Sequence, residues 1–471
     1  MRAFPTDLFA GSRFAVVGLG RNGLAVARAL LAMGAEVAAW DDAAAVRAAA
    51  GGLPLRDPRA GDFAFDALVL SPGIPHLLPQ PHPAAERARA AGVAILSDAD
   101  LLFQAVRRAG SRARFVGITG TNGKSTTTAL LAHIVACAGA PVAAGGNLGT
   151  AALALPLLPD DGVYVLEMSS YMLERLATLR FDVAAMLNLS PDHLDRHGDM
   201  AGYMAAKRAI FARQAAGDLA VVGMDDADSR AMAAWLRDRP AQVVAVSGEM
   251  HESPPNPLPQ GEGEPFVLLS LLSPVSPVPP FSLALSDAPA LPGAHNAQNA
   301  AAAYAIARFL GVPGDAIARA MTSFPGLPHR QQRLGTIRGI TFVNDSKATN
   351  ADAAARALSC YERVVWIAGG LAKQGGIEAL APCFPRIARA LLIGRDAPLL
   401  AATLAAHDVP HEIAGTLEAA TLSAFAAAQA VGAPVVLLSP ACASFDQFSG
   451  FDARGEKFAA LVASLARERA A

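Results

Sequence analysis

Residues 117–126, GITGTNGKST, combine three glycines with a lysine and hydroxyl side chains where a strand-like run gives way to a helix-like one. Glycines at 120 and 123 would let several backbone N–H groups converge on one anion, and the helix N-terminus adds partial positive charge. Lys124 can reach terminal phosphates, and the Ser125 hydroxyl can ligate Mg²⁺. Gly120, Thr121, Asn122, Gly123, Lys124, Ser125 and Thr126 are therefore the candidate ATP-binding residues. The loop departs from the usual P-loop spacing, which would put a glycine where Ile118 stands.

A second glycine loop, GLGRNG, carries Gly18, Gly20 and Gly23 between the run RFAVV and the helical stretch LAVARALLAMG. Asp41 and Asp42 follow about twenty residues later, the full context of a dinucleotide-binding fingerprint. The physics asks only for a diphosphate joined to a nucleoside, so a UDP-sugar satisfies it as well as NAD. A chain with both loops holds two phosphorylated ligands. That favours an ATP-dependent enzyme acting on a nucleotide-linked substrate over a simple nicotinamide-dependent oxidoreductase.

Two acidic loops lie downstream. Glu167 ends the run VYVLE, and Asp192, His193 and Asp195 follow the run that ends in NLS. In a doubly wound sheet such positions fall at the carboxyl edge, facing the ligand. Glu167 suits Mg²⁺, which takes few carboxylates and completes its shell with phosphate oxygens and water. His193 and His197 are four apart, but HLDRH lacks the glutamate of HExxH, which argues against a zinc hydrolase.

Short apolar runs alternating with Ala-rich helical stretches predict an α/β fold with mostly parallel sheets. The 471 residues suggest about three domains. We place them at 1–105, 106–326 and 327–471, with GLGRNG in the first and the phosphate-binding loop in the second. A Pro-rich stretch at 253–280 reads as a surface insertion in the middle section. The net charge of −2 gives no reason to expect nucleic acid or an anionic membrane as partner. No breaker-free apolar run is long enough to span a membrane, and the N-terminus lacks the zones of a signal peptide. Four cysteines without a CxxC pair argue against structural zinc or disulfides and predict a reduced, cytoplasmic protein.

Read in order, GTNGKST, LEMSSYMLE, NLSPDHLDRH, PGAHNAQNAAAA, LPHR, FVNDSKATN and LSPACASFDQF resemble the Mur ligase family over nearly the whole chain, with the D-glutamate-adding branch nearest. The resemblance implies a three-domain ligase, Rossmann-like, ATP-binding and Rossmann-like in turn, that uses ATP and Mg²⁺ to join D-glutamate to UDP-N-acetylmuramoyl-L-alanine in peptidoglycan synthesis; we expect a monomer with no nucleic-acid partner and no membrane insertion. It implies that Lys124 and Ser125 bind the β- and γ-phosphates and Mg²⁺, and that Glu167 and His193 each ligate a Mg²⁺. Lys207 matches a lysine that the family carbamylates beside the second metal. Asn147, with Ser71 and Gly73 of the ALVLSPG turn, falls among the UDP-substrate positions. Asn296 and Asn299 match positions near adenine, Arg330 the arginine that crosses from the third domain to the γ-phosphate, and Asp345 and Lys347 the ATP ribose and a supporting lysine. Thr349, Lys373, Ser439 and Phe448 resemble the amino-acid pocket.

There are departures. AGGLAKQGG lacks an Asp often seen near the lysine, Met172 stands where glutamine is common, and the Pro-rich stretch has no family counterpart. The pocket residue types do not separate D- from L-glutamate, and the L-alanine-adding relative shares the GLGRNG-type start. In families like this, ATP phosphorylates a carboxylate and an amine then displaces phosphate. Lys124, His193, Lys207 and Arg330 are the candidate catalytic residues.

Overall fold

Runs rich in Val, Ile, Leu and Ala with no polar alternation are expected where a strand is covered on both faces, as in parallel sheets. The structure, a computed structural model, describes residues 2–248, 287–373 and 375–470 and carries three such sheets. The expected insertion at 253–280 lies outside the described residues.

The first sheet contains β1 (Arg13–Val17), β2 (Glu36–Trp40), β3 (Ala67–Leu70) and β4 (Ala94–Leu96) in the order β2-β1-β3-β4, all parallel. The second contains β5 (Arg114–Thr119), β6 (Val142–Gly146), β7 (Val163–Glu167), β8 (Val183–Met186), β9 (Leu219–Gly223) and β10 (Gln242–Val246). Its order is β10-β9-β8-β5-β7-β6, again all parallel. The third contains β11 (Gln332–Ile337), β12 (Ile340–Asn344), β13 (Val364–Gly369), β14 (Ile387–Ile393), β15 (His411–Gly415) and β16 (Val435–Leu438), ordered β11-β12-β16-β13-β14-β15. Only β11 runs antiparallel there, folded back on β12. The α/β class with mostly parallel sheets is borne out.

One compact unit holds the first two sheets together with Asn296–Ser323, and a second holds the third sheet. Within the first unit a single apolar cluster runs from Phe14 and Val16 of β1 through Leu101, Leu102 and Val106 to Phe115 and Tyr164 of the second sheet. The helix Asp98–Arg108 carries those middle residues and spans the point, 105 to 106, where the sequence suggested dividing the chain. Its strongly apolar inner face makes it a shared element. In the second unit, separate apolar clusters cover the two faces of the third sheet.

Candidate active site

The phosphate-binding loop leaves β5 and opens the helix Lys124–Cys137. Gly123 sits at φ +82°, and a Cβ there would come within 2.2 Å of the Asn299 side-chain oxygen, so this position admits only glycine. The Asn188 side chain grips the next peptide from both sides, accepting from Asn122 N–H at 2.8 Å and donating to Asn122 C=O at 3.2 Å. Thr121 N–H donates to the Asn188 carbonyl, and Thr121 Oγ1 donates to the Ser190 carbonyl. Lys124 Nζ is folded over the loop, donating to Gly120 O at 3.0 Å and Thr121 O at 2.8 Å. Ser125 is buried in the first turn, with Thr126 half-buried behind it. Asn296 and Asn299 are brought to the same place: Asn299 Nδ2 donates to Asn296 Oδ1, and Thr127 Oγ1 donates to Asn299 Oδ1.

Glu167 ends β7, in register with Ile118 of β5 and Gly146 of β6. Its Oε1 accepts from Asn147 Nδ2 at 2.6 Å, while Oε2 is buried with no hydrogen-bond partner. Lys207, on the helix Met200–Arg208, is 2 % exposed and donates to Thr119 Oγ1 at 3.2 Å and Gly120 O at 2.9 Å. Burial pushes its amine well below the usual lysine value, and the Lys124 charge pushes the same way. His193 stands at φ +53° with its ring 5.0 Å from that of Tyr171. Burial lowers its pKa, with the Asp192 carboxylate opposing. His197 is no partner for it in a metal pair: its Nδ1 meets Glu174 Oε1 at 3.0 Å and its Nε2 meets Ser170 Oγ at 2.9 Å.

Among the described residues no group of three or more His, Cys, Asp or Glu could enclose a metal ion unaided. A partnerless carboxylate oxygen beside a phosphate loop nevertheless fits Mg²⁺, whose remaining ligands are phosphate oxygens and water.

At the first sheet, Gly23 is forced by close approach, since a Cβ would lie 1.8 Å from the Gly18 carbonyl oxygen. Gly18 takes φ +90°, and its carbonyl also accepts from Ser71 Oγ at 2.7 Å. Gly20 caps the helix Arg21–Ala32 with open space beside it, as does Gly73 in its turn. Asp41 is committed to its own loop, accepting from Leu19 N–H at 2.7 Å and Ala43 N–H at 2.9 Å. Asp42 joins His82, Trp40 and Arg59, and the His82 bond chiefly holds its carboxyl below the usual value.

In the second unit, Arg330 lies between His329 at φ +61° and Gln331 at φ +45°. Asp345 Oδ1 accepts from Gln331 N–H at 3.1 Å, and Ser439 Oγ lies 2.8 Å from Oδ2. Burial pushes the Asp345 carboxyl up to about 7, with Ser439, Gln331 and the Arg330 charge opposing. Lys347 Nζ lies 3.7 Å from the centre of the Phe451 ring, and its N–H donates to the His329 carbonyl. Thr349 is half-buried two residues on, and Lys373 is exposed. Phe448, partly buried, packs against the apolar cluster around Leu417 and Phe425. Sequence reasoning passed over Phe451, Asn188 and Arg454. Arg454 is 1 % exposed and donates to the carbonyls of Ser346 and Cys442. The composition of NLS or FDARG carries no signal for these roles, because they depend on packing between distant segments.

Residues 118–307 match the Mur ligase middle domain, and residues 329–442 match the Mur ligase glutamate ligase domain. The chain belongs to the Mur ligase family. Its relatives include proteins named UDP-N-acetylmuramoylalanine–D-glutamate ligase: that of Paramagnetospirillum magneticum is 50 % identical over 97 % of each chain. That of Rhodospirillum rubrum is 49 % identical over 100 % of this chain and 98 % of the relative. Among solved structures, a UDP-N-acetylmuramate–alanine ligase of Thermotoga maritima shares the fold, with a TM-score of 0.58 at 18 % identity over 96 % of this chain and 99 % of that one.

Proposed function

We infer that this protein is an ATP-dependent ligase that forms the amide bond between D-glutamate and UDP-N-acetylmuramoyl-L-alanine in peptidoglycan synthesis. The observation that carries this is identity near one half, along the full length, with ligases of that name. The substrate carboxylate attacks the γ-phosphorus of ATP, ADP leaves, and an acyl phosphate results. The D-glutamate amine then adds to the acyl carbon, loses a proton, and expels phosphate.

The work for the protein is positioning and charge neutralisation. The backbone of 120–123 and Lys124 bind phosphate, with Asn296 and Asn299 beneath. Lys124 unfolds from its two loop carbonyls onto the triphosphate, exchanging neutral acceptors for charged ones. Ser125 and Glu167 would hold one Mg²⁺; His193 and a carbamylated Lys207 would hold a second. Bound there, Mg²⁺ neutralises charge on the phosphate and acyl oxygens. The neutral Lys207 amine that carbamylation requires is favoured by its burial. Gly18, Gly20, Gly23, Ser71, Gly73 and Asn147 would receive the UDP-substrate. The roles of Arg330, Asp345, Lys347, Thr349, Lys373, Ser439 and Phe448 rest on the family resemblance.

A cytoplasmic, monomeric enzyme is the accompanying reading. Among the described residues no helix is long and apolar enough to cross a membrane, and the four cysteines are unpaired. The nicotinamide alternative is weakened by the second, phosphate-binding loop between β5 and the helix Lys124–Cys137, which a simple dehydrogenase does not need. Phosphate release from ATP with UDP-N-acetylmuramoyl-L-alanine tests the reading, comparing D-glutamate, L-glutamate and no amino acid. Release that requires D-glutamate is expected; release only with L-glutamate, or with neither, would overturn it.

A further inference from the structure

Arg175 is a buried cation whose side-chain hydrogen bonds go to the end of β3 and the segment after it, His76 Nδ1 at 3.4 Å from Nε included. It is 3 % exposed, with Nη1 donating to Leu70 O at 2.9 Å and Nη2 to Ile74 O at 2.6 Å; Nη1 also reaches Ser71 O at 3.4 Å. Among the described residues no carboxylate pairs with it, because the adjacent Glu174 is turned to His197. Burial pulls the guanidinium down to about 10, so it stays charged at neutral pH. Arg196 adds a second cation on the same turn, donating to Gly73 O at 3.0 Å with its guanidinium 4.4 Å from the Tyr171 ring centre. The turn is tied in its other direction to the glycine loop, through Ser71 Oγ and Gly18 O.

A desolvated charge without a counter-ion is costly, several kcal/mol by order of magnitude, and a neutral donor would anchor the same carbonyls more cheaply. A buried guanidinium on carbonyls can serve as an anchor alone, as Arg454 does for Ser346 and Cys442, but two cations on one turn also give that turn a positive potential for an anion. The helix start at Gly20, next to the glycine loop that Ser71 ties to this turn, offers its partial positive charge to the same anion.

We propose that Arg175, assisted by Arg196, is a positioning residue that fixes the 70–74 turn from beneath and supplies positive potential for the diphosphate of the UDP-substrate. This rests on the ligase reading above. Arg175 also lies eight residues after Glu167 and beside Glu174, whose bond to His197 braces the turn carrying His193. One short segment thereby sets the nucleotide-substrate turn and the metal-binding edge together.

The test uses full-length R175K, R175M and R196M, with KM for UDP-N-acetylmuramoyl-L-alanine, ATP and D-glutamate measured beside thermal melting. For R175M, KM for the UDP-substrate should rise about tenfold or more, as for loss of charged hydrogen bonds, while the other two stay within about twofold. R175K should recover part of the loss, since it keeps the charge without the forked donors. If R175M does not fold, R196M decides, because Arg196 is only partly buried; its UDP-substrate KM should rise about threefold. Equal rises in all three constants, or no change in R175K and R196M, would overturn the proposal. Absence of D-glutamate-dependent turnover in the unmodified protein would instead sink the ligase reading.

Discussion

Asn147 donates to one oxygen of Glu167 at 2.6 Å and leaves the other, Oε2, buried without a partner. An orphaned carboxylate oxygen is unfavourable in a folded chain and marks a position awaiting a cation. Because Asn147 fixes the rotamer, the free oxygen is held beside the phosphate loop. Glu167→Gln presents an amide instead of a charged oxygen there. Turnover at saturating substrates should fall about a hundredfold or more. The stabilisation that Mg²⁺ with ATP gives in thermal melting should shrink in the same variant, while melting without nucleotide changes little. Retention of the Mg²⁺-dependent shift in E167Q would remove Glu167 from the metal site.

Lys207 offers a different kind of evidence, because its chemistry requires the uncharged amine. Desolvation and the Lys124 charge both favour that form. The neutral nitrogen attacks CO₂, an N–C bond forms, and a proton is lost to water, turning a cation into an anion. With ¹³C-bicarbonate, a carbamate resonance should appear in the unmodified protein and be absent from Lys207→Arg, whose guanidinium stays protonated. Turnover of that variant should drop by about two orders of magnitude. An identical spectrum in the two proteins would exclude the carbamate.

Asp345 gives a pH-dependent prediction of definite sign. Burial pushes its carboxyl up to about 7 in the fold, against ~3.9 in the unfolded chain. Between those values the native state holds a proton that the unfolded chain has released, so stability from this group is present in acid and is lost as pH rises through about 7. Asp345→Asn imitates the protonated form: its oxygen still accepts from Gln331 N–H, and its amide can donate to Ser439 Oγ. Denaturant unfolding should show the variant gaining on the parent from pH 4.5 to pH 8, with little difference at the acid end. A constant difference across that range would mean the carboxyl does not titrate there.

Much of this was legible from sequence, for reasons that can be located. β1, β5 and β7 were evident as uninterrupted apolar runs, and their glycine or acidic ends named Gly18, Gly120 and Glu167 directly. β15 was not, because HEIAG at the sheet margin is half-polar, and antiparallel β11 escaped because QRLGTI lacks an apolar run. Asp41, expected to face a ligand, also ties down its own loop, a contact that depends on where Leu19 N–H points and that spacing does not reveal. The burial of Lys207 was likewise invisible, since a lysine in an amphipathic helix reads as solvated until the helix is docked against β5.

The largest stability effect is expected at a residue with no place in the chemistry. Asp100 is fully buried, and its Oδ1 accepts the backbone N–H groups of Ala177 at 2.9 Å, Thr178 at 2.8 Å and Leu179 at 2.8 Å. Its Oδ2 takes Thr178 Oγ1 at 2.9 Å and Gln104 Nε2 at 3.0 Å. The carboxylate thereby stitches the helix of the first sheet's edge to the turn that leads from Arg175 into β8. Asp100→Ala takes the acceptor from three backbone N–H groups at once, Leu179's in a buried residue and the other two open to water, which by order of magnitude costs about 2 kcal/mol. Asp100→Asn keeps an oxygen for those three donors but loses the charge and the Oδ2 bonds from Thr178 and Gln104, so its cost should be smaller. Denaturant unfolding of the two variants checks the order. Equal destabilisation would show that charge, rather than the triple backbone contact, holds the turn.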